Sequence, residues 1–554
     1  MRLHLATFTA AALAAFCFAT AHTASAQAPV ALAGQVSSAK EGAMEGVVVS
    51  AKKAGGTITV SAVSDGKGHY SFPAAKLVPG QYALAIRAVG YELDGPKTAE
   101  VAAGKPTTAD ITLRLTKRLP LQLSNAEWLA SMPGTDNQKK ATLGCISCHD
   151  LDRIVGSMHT ADEFMQIFER MSGYYPGSTP EQPQRLNGDA RRQVGQGPGA
   201  RALAEFFASV NLSKDESWTY ELKGFPRPTG RATRVIITEY DLPRKKIQPH
   251  DVILDNEGTV WFSHFSELFL GKMDTKTGKV DEYPLPVIKT GFPIGTLDLE
   301  TTKSGDIWLA MMYQGGVARF DKKTGTFQTW SVPKEWQTDA TQQAFMSPDA
   351  SHVDGKVWVK NSDRAQILRL DPNTGAWENF GSFNNPNSGN RIQSYGIPVD
   401  PQNNLYLLDF AANGIGKLDA KTGKLVGYYP GKIANSRPRR GRIDDQGRLW
   451  YAEYGANAIG MLDPATDSVK EWTLPTPWAQ PYDAVLDKNG EAWTGSMLSD
   501  RVTRLDPKTG EFVEYLMPKT TNIRRVFVDN SSNPVTFWTG NNHGASIVKV
   551  EPMD

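Results

Sequence analysis

One unit recurs seven times in the second half of the chain. Each copy reads Asp-x-x-Gly-x-x-Trp, then a polar patch, a Gly-rich turn, a Leu-Asp or Phe-Asp pair and a Thr-Gly turn. The aromatic anchor falls at Trp261, Trp308, Trp358, Tyr406, Trp450, Trp493 and Trp538, with spacings of 47, 50, 48, 44, 43 and 45 residues. Asp-x-x-Thr-Gly turns close units at 274–278, 321–325, 371–375, 419–423 and 506–510, with a variant at 463–467. A period near 45 residues with room for four short strands predicts a β-propeller blade, so residues 231–554 are expected to form a seven-bladed propeller. The last copy stops after 547–551 and lacks an outer strand, while 235–243 repeats the outer-strand phrase of 282–286. The segment before the first copy is therefore expected to complete the last blade and leave no open edge.

The other half of the chain holds separate units. Residues 1–26 read as a signal peptide: Met1-Arg2 is basic, Leu3 to Ala24 is apolar and Ala-rich, and Ala24-Ser25-Ala26 fits a cleavage site before Gln27. His4, His22 and several threonines interrupt that run, which leaves too little for a spanning helix. Phe16 before Cys17 is too bulky for lipoprotein processing. An exported, periplasmic or secreted protein without a transmembrane segment is expected. Basic and acidic residues nearly cancel, 60 against 59, which argues against a nucleic-acid partner.

Residues 28–117 show alternating runs such as 46–51 and 82–87, split by turn signals such as Asp65-Gly66-Lys67-Gly68. The Gly-x-Val start, the Asp65-Gly66 turn before Tyr70-Ser71-Phe72, and Pro79-Gly80-Gln81-Tyr82 leading to Ala88-Val89-Gly90-Tyr91 resemble the carboxypeptidase regulatory-like domain. That resemblance implies an immunoglobulin-like sandwich acting as a spacer or binding module.

Of three cysteines, Cys17 leaves with the leader. The other two stand in Cys145-Ile146-Ser147-Cys148-His149. Two thiols three positions apart on a helical turn can each add to one heme vinyl group, and the adjacent His then faces the iron. A redox C-x-x-C would want a βαβ setting, and a zinc site two more ligands nearby; neither is visible, and a structural disulfide is the remaining alternative. One heme c is the favoured reading, with Cys145 and Cys148 attached and His149 as proximal ligand. The flanks, a short helix over 139–143, a helix over 161–171 and a closing helix over 200–212, resemble a small class I cytochrome c domain, placed at 122–215. For the sixth iron ligand Met171 is favoured, at the end of its helix before an irregular loop. Met158 is next and His159 is the outside candidate, whereas Met165 reads as core packing.

Across roughly 233–551 the repeat resembles the virginiamycin B lyase (streptogramin lyase) family, as in 449–460, Leu-Trp-Tyr-Ala-Glu-Tyr-Gly-Ala-Asn-Ala-Ile-Gly. The resemblance implies a His base and Mg²⁺ held by two Glu residues in the final blade. Here that blade reads Asn522-Ile523-Arg524-Arg525, and Thr539-Gly540-Asn541-Asn542 follows Trp538, so no His or Glu occupies those positions. A Pro-His phrase occurs instead in the first blade, as Gln248-Pro249-His250, with His264 three residues past Trp261. By symmetry His250 and His264 are expected at one channel mouth, as catalytic, metal or substrate contacts. Glu453, Asp409, Tyr395, Tyr482, Arg440 and Arg525 occupy related positions on other blades.

The chain is thus expected to be multidomain and mainly β: an immunoglobulin-like β-sandwich, a small α-helical cytochrome c domain and a seven-bladed β-propeller. The expected function is electron transfer through the heme, with a redox partner protein and a small molecule or partner held by the propeller. That arrangement could make the chain an oxidoreductase. The alternatives are a lyase that uses Mg²⁺ and carries an ancillary heme, and a non-catalytic binding protein. No nucleotide-binding Gly-rich loop or adjacent-cysteine pair names a second redox cofactor.

Overall fold

A single carboxylate explains why Asp and Trp recur together. In the first blade, Asp255 Oδ1 accepts the amides of Glu257 and Thr259, both at 3.0 Å, which closes a turn that needs Gly258 at φ +74°. Its Oδ2 accepts Trp261 Nε1 at 2.9 Å and so pins the next strand's aromatic anchor. Asp444 does the same for Trp450, and Asp487 for Trp493, at 2.9 and 2.8 Å. Each unit therefore carries its own turn and its own core anchor.

The computed structural model describes residues 29–191, 195–211, 220–302, 304–345 and 355–554. The expected leader over 1–26 lies outside the described residues. The repeats form seven successive antiparallel sheets. The fourth has three strands, Leu405–Leu408, Gly414–Leu418 and Leu425–Pro430, and isolated bridges Ser394↔Asp409 and Val399↔Leu405 take the innermost place. The seventh sheet, from Ile523–Asp529 to Ser546–Pro552, is completed by Val235–Asp241, paired from Val235↔Pro552 to Asp241↔Ser546. The inner strand of the first blade, Pro249–Leu254, lies against Ile523–Asp529 and closes the ring. The chain is mainly β and multidomain, with a propeller-like region behind an immunoglobulin-like domain.

The N-terminal domain packs two sheets around Leu32, Val36, Val49, Phe72 and Ile111. One of those sheets continues the propeller. Strand Ile58–Val63 pairs with Val235–Asp241, from Ile236↔Ala62 to Tyr240↔Ile58, giving one eight-stranded sheet across both units. Ile236 packs in the sandwich core, while Val48 and Val63 pack in the seventh blade's core. The outer edge of the closing blade is thereby covered.

Among the described residues five short α-helices lie between these units: α1 Asn125–Ser131, α2 Asp136–Ala141, α3 Asp152–Val155, α4 Ala161–Ser172 and α5 Ala200–Val210. Ser124 and Glu127 form a capping box on α1, and Thr160 and Glu163 form one on α4. Phe164 and Phe168 of α4 meet Phe207 of α5 edge-on, with centroids 5.4 and 5.6 Å apart. This core runs on into Tyr454, Tyr482, Met497 and Leu498 of the propeller, so the helices sit directly on the channel mouth. Among the described residues no helix is long and apolar enough to cross a membrane.

Candidate functional site: the C-x-x-C-H segment and the propeller mouth

The main chain turns helically through the cysteines: Cys148 N and His149 N donate to Cys145 O at 3.1 and 3.4 Å. His149 Nδ1 lies 3.0 Å from the main-chain oxygen of Asp150. Donation to that oxygen leaves Nε2 with the lone pair, and burial lowers the imidazole pKa, so the ring is neutral, the form that binds a metal. Both cysteines, His149 and Met171 line a cavity of about 770 Å³, within the range of cofactor pockets. Its helical side is apolar, with Ile154, Phe164, Ile167, Phe168 and Phe207. Its other side belongs to the propeller, through Lys245, Gln248, Asn542 and His543.

Met171 lines this cavity; Met158, His159 and Met165 do not. Met158 is half exposed at φ 61°, His159 sits 3.8 Å from Glu163 at the start of α4, and Met165 packs against the helical core.

Across the interface, register shifts organise the channel. In the innermost strand pairs of five blades the pairing slips at the same place, between Pro249 and Val252, Thr296 and Leu299, Pro438 and Gly441, Pro481 and Ala484, and Ile523 and Val526. The residues in these slips supply the channel, except Leu297, which packs in an apolar core. His250, Arg439, Tyr482 and Arg524 make an upper group with Tyr395, and Asp251, Asp298, Arg440, Asp483 and Arg525 make a lower one.

The lower group is an ion network. Asp251, fully buried, accepts from Arg440 Nη1 at 3.2 Å, Arg525 Nη1 at 3.0 Å and the Leu299 amide at 3.1 Å. Arg440 also pairs with Asp298, and Arg525 with Glu300 at 2.9 Å. Although burial opposes ionisation, the two guanidinium groups hold the Asp251 carboxyl well below its usual range.

The upper group is a relay of neutral donors and acceptors beside cations. His250 Nδ1 lies 2.6 Å from Asp251 Oδ1, and its Nε2 lies 3.1 Å from the Tyr482 hydroxyl, which bonds the Tyr395 hydroxyl in turn. Burial, with Arg524 and Arg440 nearby, pushes the His250 pKa down to about 3, so Nδ1–H donates to Asp251 and Nε2 accepts from Tyr482. The Arg439 guanidinium lies 3.8 Å from the Tyr482 ring centroid and 4.5 Å from that of Tyr395. Lys360 donates to the Ser394 and Tyr395 carbonyls at 2.9 and 3.0 Å, and burial beside Arg439 lowers its pKa to about 7.

The two histidines singled out from the repeat are not brought together. His250 stacks on Phe265 in the channel. His264 instead faces Glu282 at 3.0 Å and Glu267 at 3.6 Å, within the first blade. Asp409 and Glu453, which share His264's place three residues past the anchor, also lie off the channel. Asp409 accepts the amides of Gln393 and Ala411, and Glu453 is buried beside Glu471. The side chain at that place faces its own blade because no register slip turns it inward. Tyr395, Tyr482, Arg440 and Arg525 are in the channel groups. Arg439 and Arg524, not singled out from the sequence, are there as well. Pro-x-x at the start of an inner strand, as in Pro249-His250-Asp251, Pro438-Arg439-Arg440 and Pro481-Tyr482-Asp483, is the signal that could have found Arg439.

The two halves of the site touch. Arg524 Nη2 donates to the main-chain oxygen of Ser147 at 2.8 Å, and Tyr175 Oη donates to the Phe265 carbonyl at 2.7 Å. Among the described residues no group of three or more His, Cys, Asp or Glu side chains is arranged to hold a metal ion.

Residues 292–522 match the Virginiamycin B lyase family, and residues 31–114 match the Carboxypeptidase regulatory-like domain. No curated protein matches the chain. Among solved structures it is similar to virginiamycin B lyase from Staphylococcus aureus, at 20% identity and TM-score 0.48 over 57% of this chain and 98% of that one. A streptogramin B lyase structure matches at 21% identity and TM-score 0.49, over 58% and 99%. The extracellular domain of a one-component system from B. thetaiotaomicron matches at 15% identity and TM-score 0.41, over 55% and 40%.

Proposed function

We propose that the chain is an exported c-type cytochrome whose heme is held over the propeller mouth and passes electrons between that mouth and a soluble one-electron redox protein. The observation that carries this reading is the cavity of about 770 Å³ into which Cys145, Cys148 and His149 all open, walled by phenylalanines on one side and by the propeller on the other. Cys145 and Cys148 would hold a heme through thioether bonds, each by addition of its S–H across one vinyl group, which needs no oxidant. His149 would hold the iron through Nε2, with its Nδ1–H oriented by Asp150 O. Phe164, Phe168 and Phe207 keep water from one face of the cavity, and Met171 offers a thioether. A c-type heme in this place supplies one-electron chemistry at a potential set by its axial ligands. Arg524 and Tyr175 fasten the segment to the mouth, where Tyr395, Tyr482, His250 and Arg439 can hold a polar small molecule. The test is a reduced-minus-oxidised spectrum in alkaline pyridine of chain matured in an oxidising compartment. A c-type α-band supports the reading, and its absence removes it.

The matched families bear on the propeller and the sandwich, and there they favour the lyase-like or binding alternative. In a lyase the mouth would need a base and carboxylates for Mg²⁺. The final blade carries Arg524 and Arg525 instead, and His250 is engaged at both ring nitrogens. Opening of a streptogramin B ring by the purified chain with Mg²⁺ would make this second reading the primary one.

A further inference from the structure

We infer that the upper group of the propeller mouth binds a small organic molecule bearing at least two carboxylates; this rests on the ligand-holding mouth proposed above. Four cations gather there from three blades: Lys360 of the third, Arg437 and Arg439 of the fifth, and Arg524 of the seventh. Among the described residues none of the four is paired with a carboxylate. Lys360 donates to the Ser394 and Tyr395 carbonyls, Arg437 Nε to Phe410 O at 3.2 Å, Arg439 Nη1 to Met497 Sδ at 3.4 Å, and Arg524 Nη2 to Ser147 O.

Rings, not acids, surround these cations. The Arg439 guanidinium carbon lies 4.6 Å from the Tyr454 ring centroid and 5.2 Å from that of Phe410, in addition to Tyr482 and Tyr395. Arg437 lies 4.1 Å from the Phe410 centroid, and Lys360 Nζ lies 4.9 Å from that of Tyr395. A ring attracts a cation but carries no charge to neutralise it. Lys360 is nevertheless 5% exposed, and Arg439 Nε is out of water with no acceptor. Like charges held out of water without a counter-charge are costly, so the arrangement calls for an anion.

The protein's own carboxylates are committed elsewhere. In the lower group Asp251, Asp298, Glu300 and Asp483 face Arg440, Arg442 and Arg525, which leaves at most one negative charge to offset the four cations above. Asp409 and Glu453 face their own blades. An occupant with two or more negative charges therefore balances the mouth. The free donors of Arg439 lie along its edge, and a guanidinium edge takes a planar carboxylate through two parallel N–H···O bonds. Tyr395, Phe410, Arg437 and Arg439 each keep part of their surface accessible, so a small molecule can reach the group. Because Arg524 also holds Ser147, the occupant lies beside the Cys145–His149 segment.

The test titrates citrate and succinate into the full mature chain by calorimetry at low salt, with acetate, succinamide and inorganic phosphate as controls. Saturable binding is expected, about tenfold or more tighter than acetate, because a second charge-assisted contact forms. Succinamide, which is uncharged, is expected not to bind. Arg439→Gln and Lys360→Met should each weaken binding by about tenfold, and citrate should raise the unfolding temperature of the wild type more than that of either variant. Absence of binding to the wild type, or phosphate bound as tightly as citrate, overturns the proposal whether or not a variant folds. Unchanged affinity in folded Arg439→Gln and Lys360→Met overturns it too. Heme content is read on the same sample. A chain that binds citrate but carries no covalent heme removes the heme reading and leaves this one; a heme-loaded chain that binds neither acid does the reverse.

Discussion

Arg524, on the inner strand of the seventh blade, donates from Nη2 to the main-chain oxygen of Ser147 at 2.8 Å, the residue between the two cysteines. Its Nε is held by Asn522 Oδ1 at 2.9 Å, and its guanidinium carbon lies 4.6 Å from the Phe265 ring centroid. The side chain is 4% exposed, so the cation spans the domain boundary out of water. Arg524→Ala should weaken docking of the helical unit by about 1.5–3 kcal/mol, the usual worth of a charged hydrogen bond. Faster amide exchange across 144–149 with the seven sheets still protected is the expected result; unchanged exchange would mean the contact holds nothing.

Tyr482 couples the mouth to the ion network beneath it. Tyr482→Phe leaves the buried His250 Nε2 without its donor and the half-buried Tyr395 without its hydroxyl partner. The expected loss is about 1–3 kcal/mol in the denaturant midpoint, since a buried polar group loses its only partner. A change of a few tenths would show that the relay adds nothing to stability.

Glu453 gives a pH dependence whose sign can be worked out. Burial, then the neighbouring Glu471, raises its pKa from 4.5 to about 8, while Glu471 accepts the Lys432 amide at 2.9 Å. Between those values the folded chain keeps a proton that the unfolded chain releases. Stability is therefore fully present below about 4.5, falls as pH rises towards 8 and levels off above it. Glu453→Gln should flatten this slope, with its advantage over wild type growing from about pH 5 to about pH 8 in urea titrations. Parallel profiles for the two proteins would contradict the assignment.

The shared sheet gives a prediction about association. Removing residues 28–117 uncovers Val235–Asp241, whose main-chain groups otherwise pair with Ile58–Val63. An exposed edge of this length invites pairing with another chain, so light scattering of the truncated protein should rise with concentration. A truncated chain that stays monomeric would show that the edge is protected by other means.

How much of this was legible in the sequence depended on whether a contact uses side chains or main chain. The blades were legible because Asp255, Asp444 and Asp487 each bind a turn and a Trp that recur at fixed spacing. Closure by Val235–Asp241 was legible because its phrase repeats that of the other outer strands. The addition of Ile58–Val63 to that strand was not, since pairing of main-chain amides leaves no mark on residue identity. The channel was only partly legible. His250 and Tyr482 follow from the repeat, but symmetry also groups His264 with them, although it lies outside the first blade's register slip and faces Glu282 within its own blade. His543 escaped notice because it stands in a turn whose neighbour, Asp150, comes from another domain almost four hundred positions earlier.

The decisive measurement is the intact mass and pyridine spectrum of the full chain matured in an oxidising compartment, beside its Cys145→Ala/Cys148→Ala variant. The expected result is one heme per chain that survives acid-acetone extraction in the wild type and is absent from the variant. A wild-type chain that matures without added mass, in which both thiols react with a thiol reagent, would contradict a heme at Cys145, Cys148 and His149.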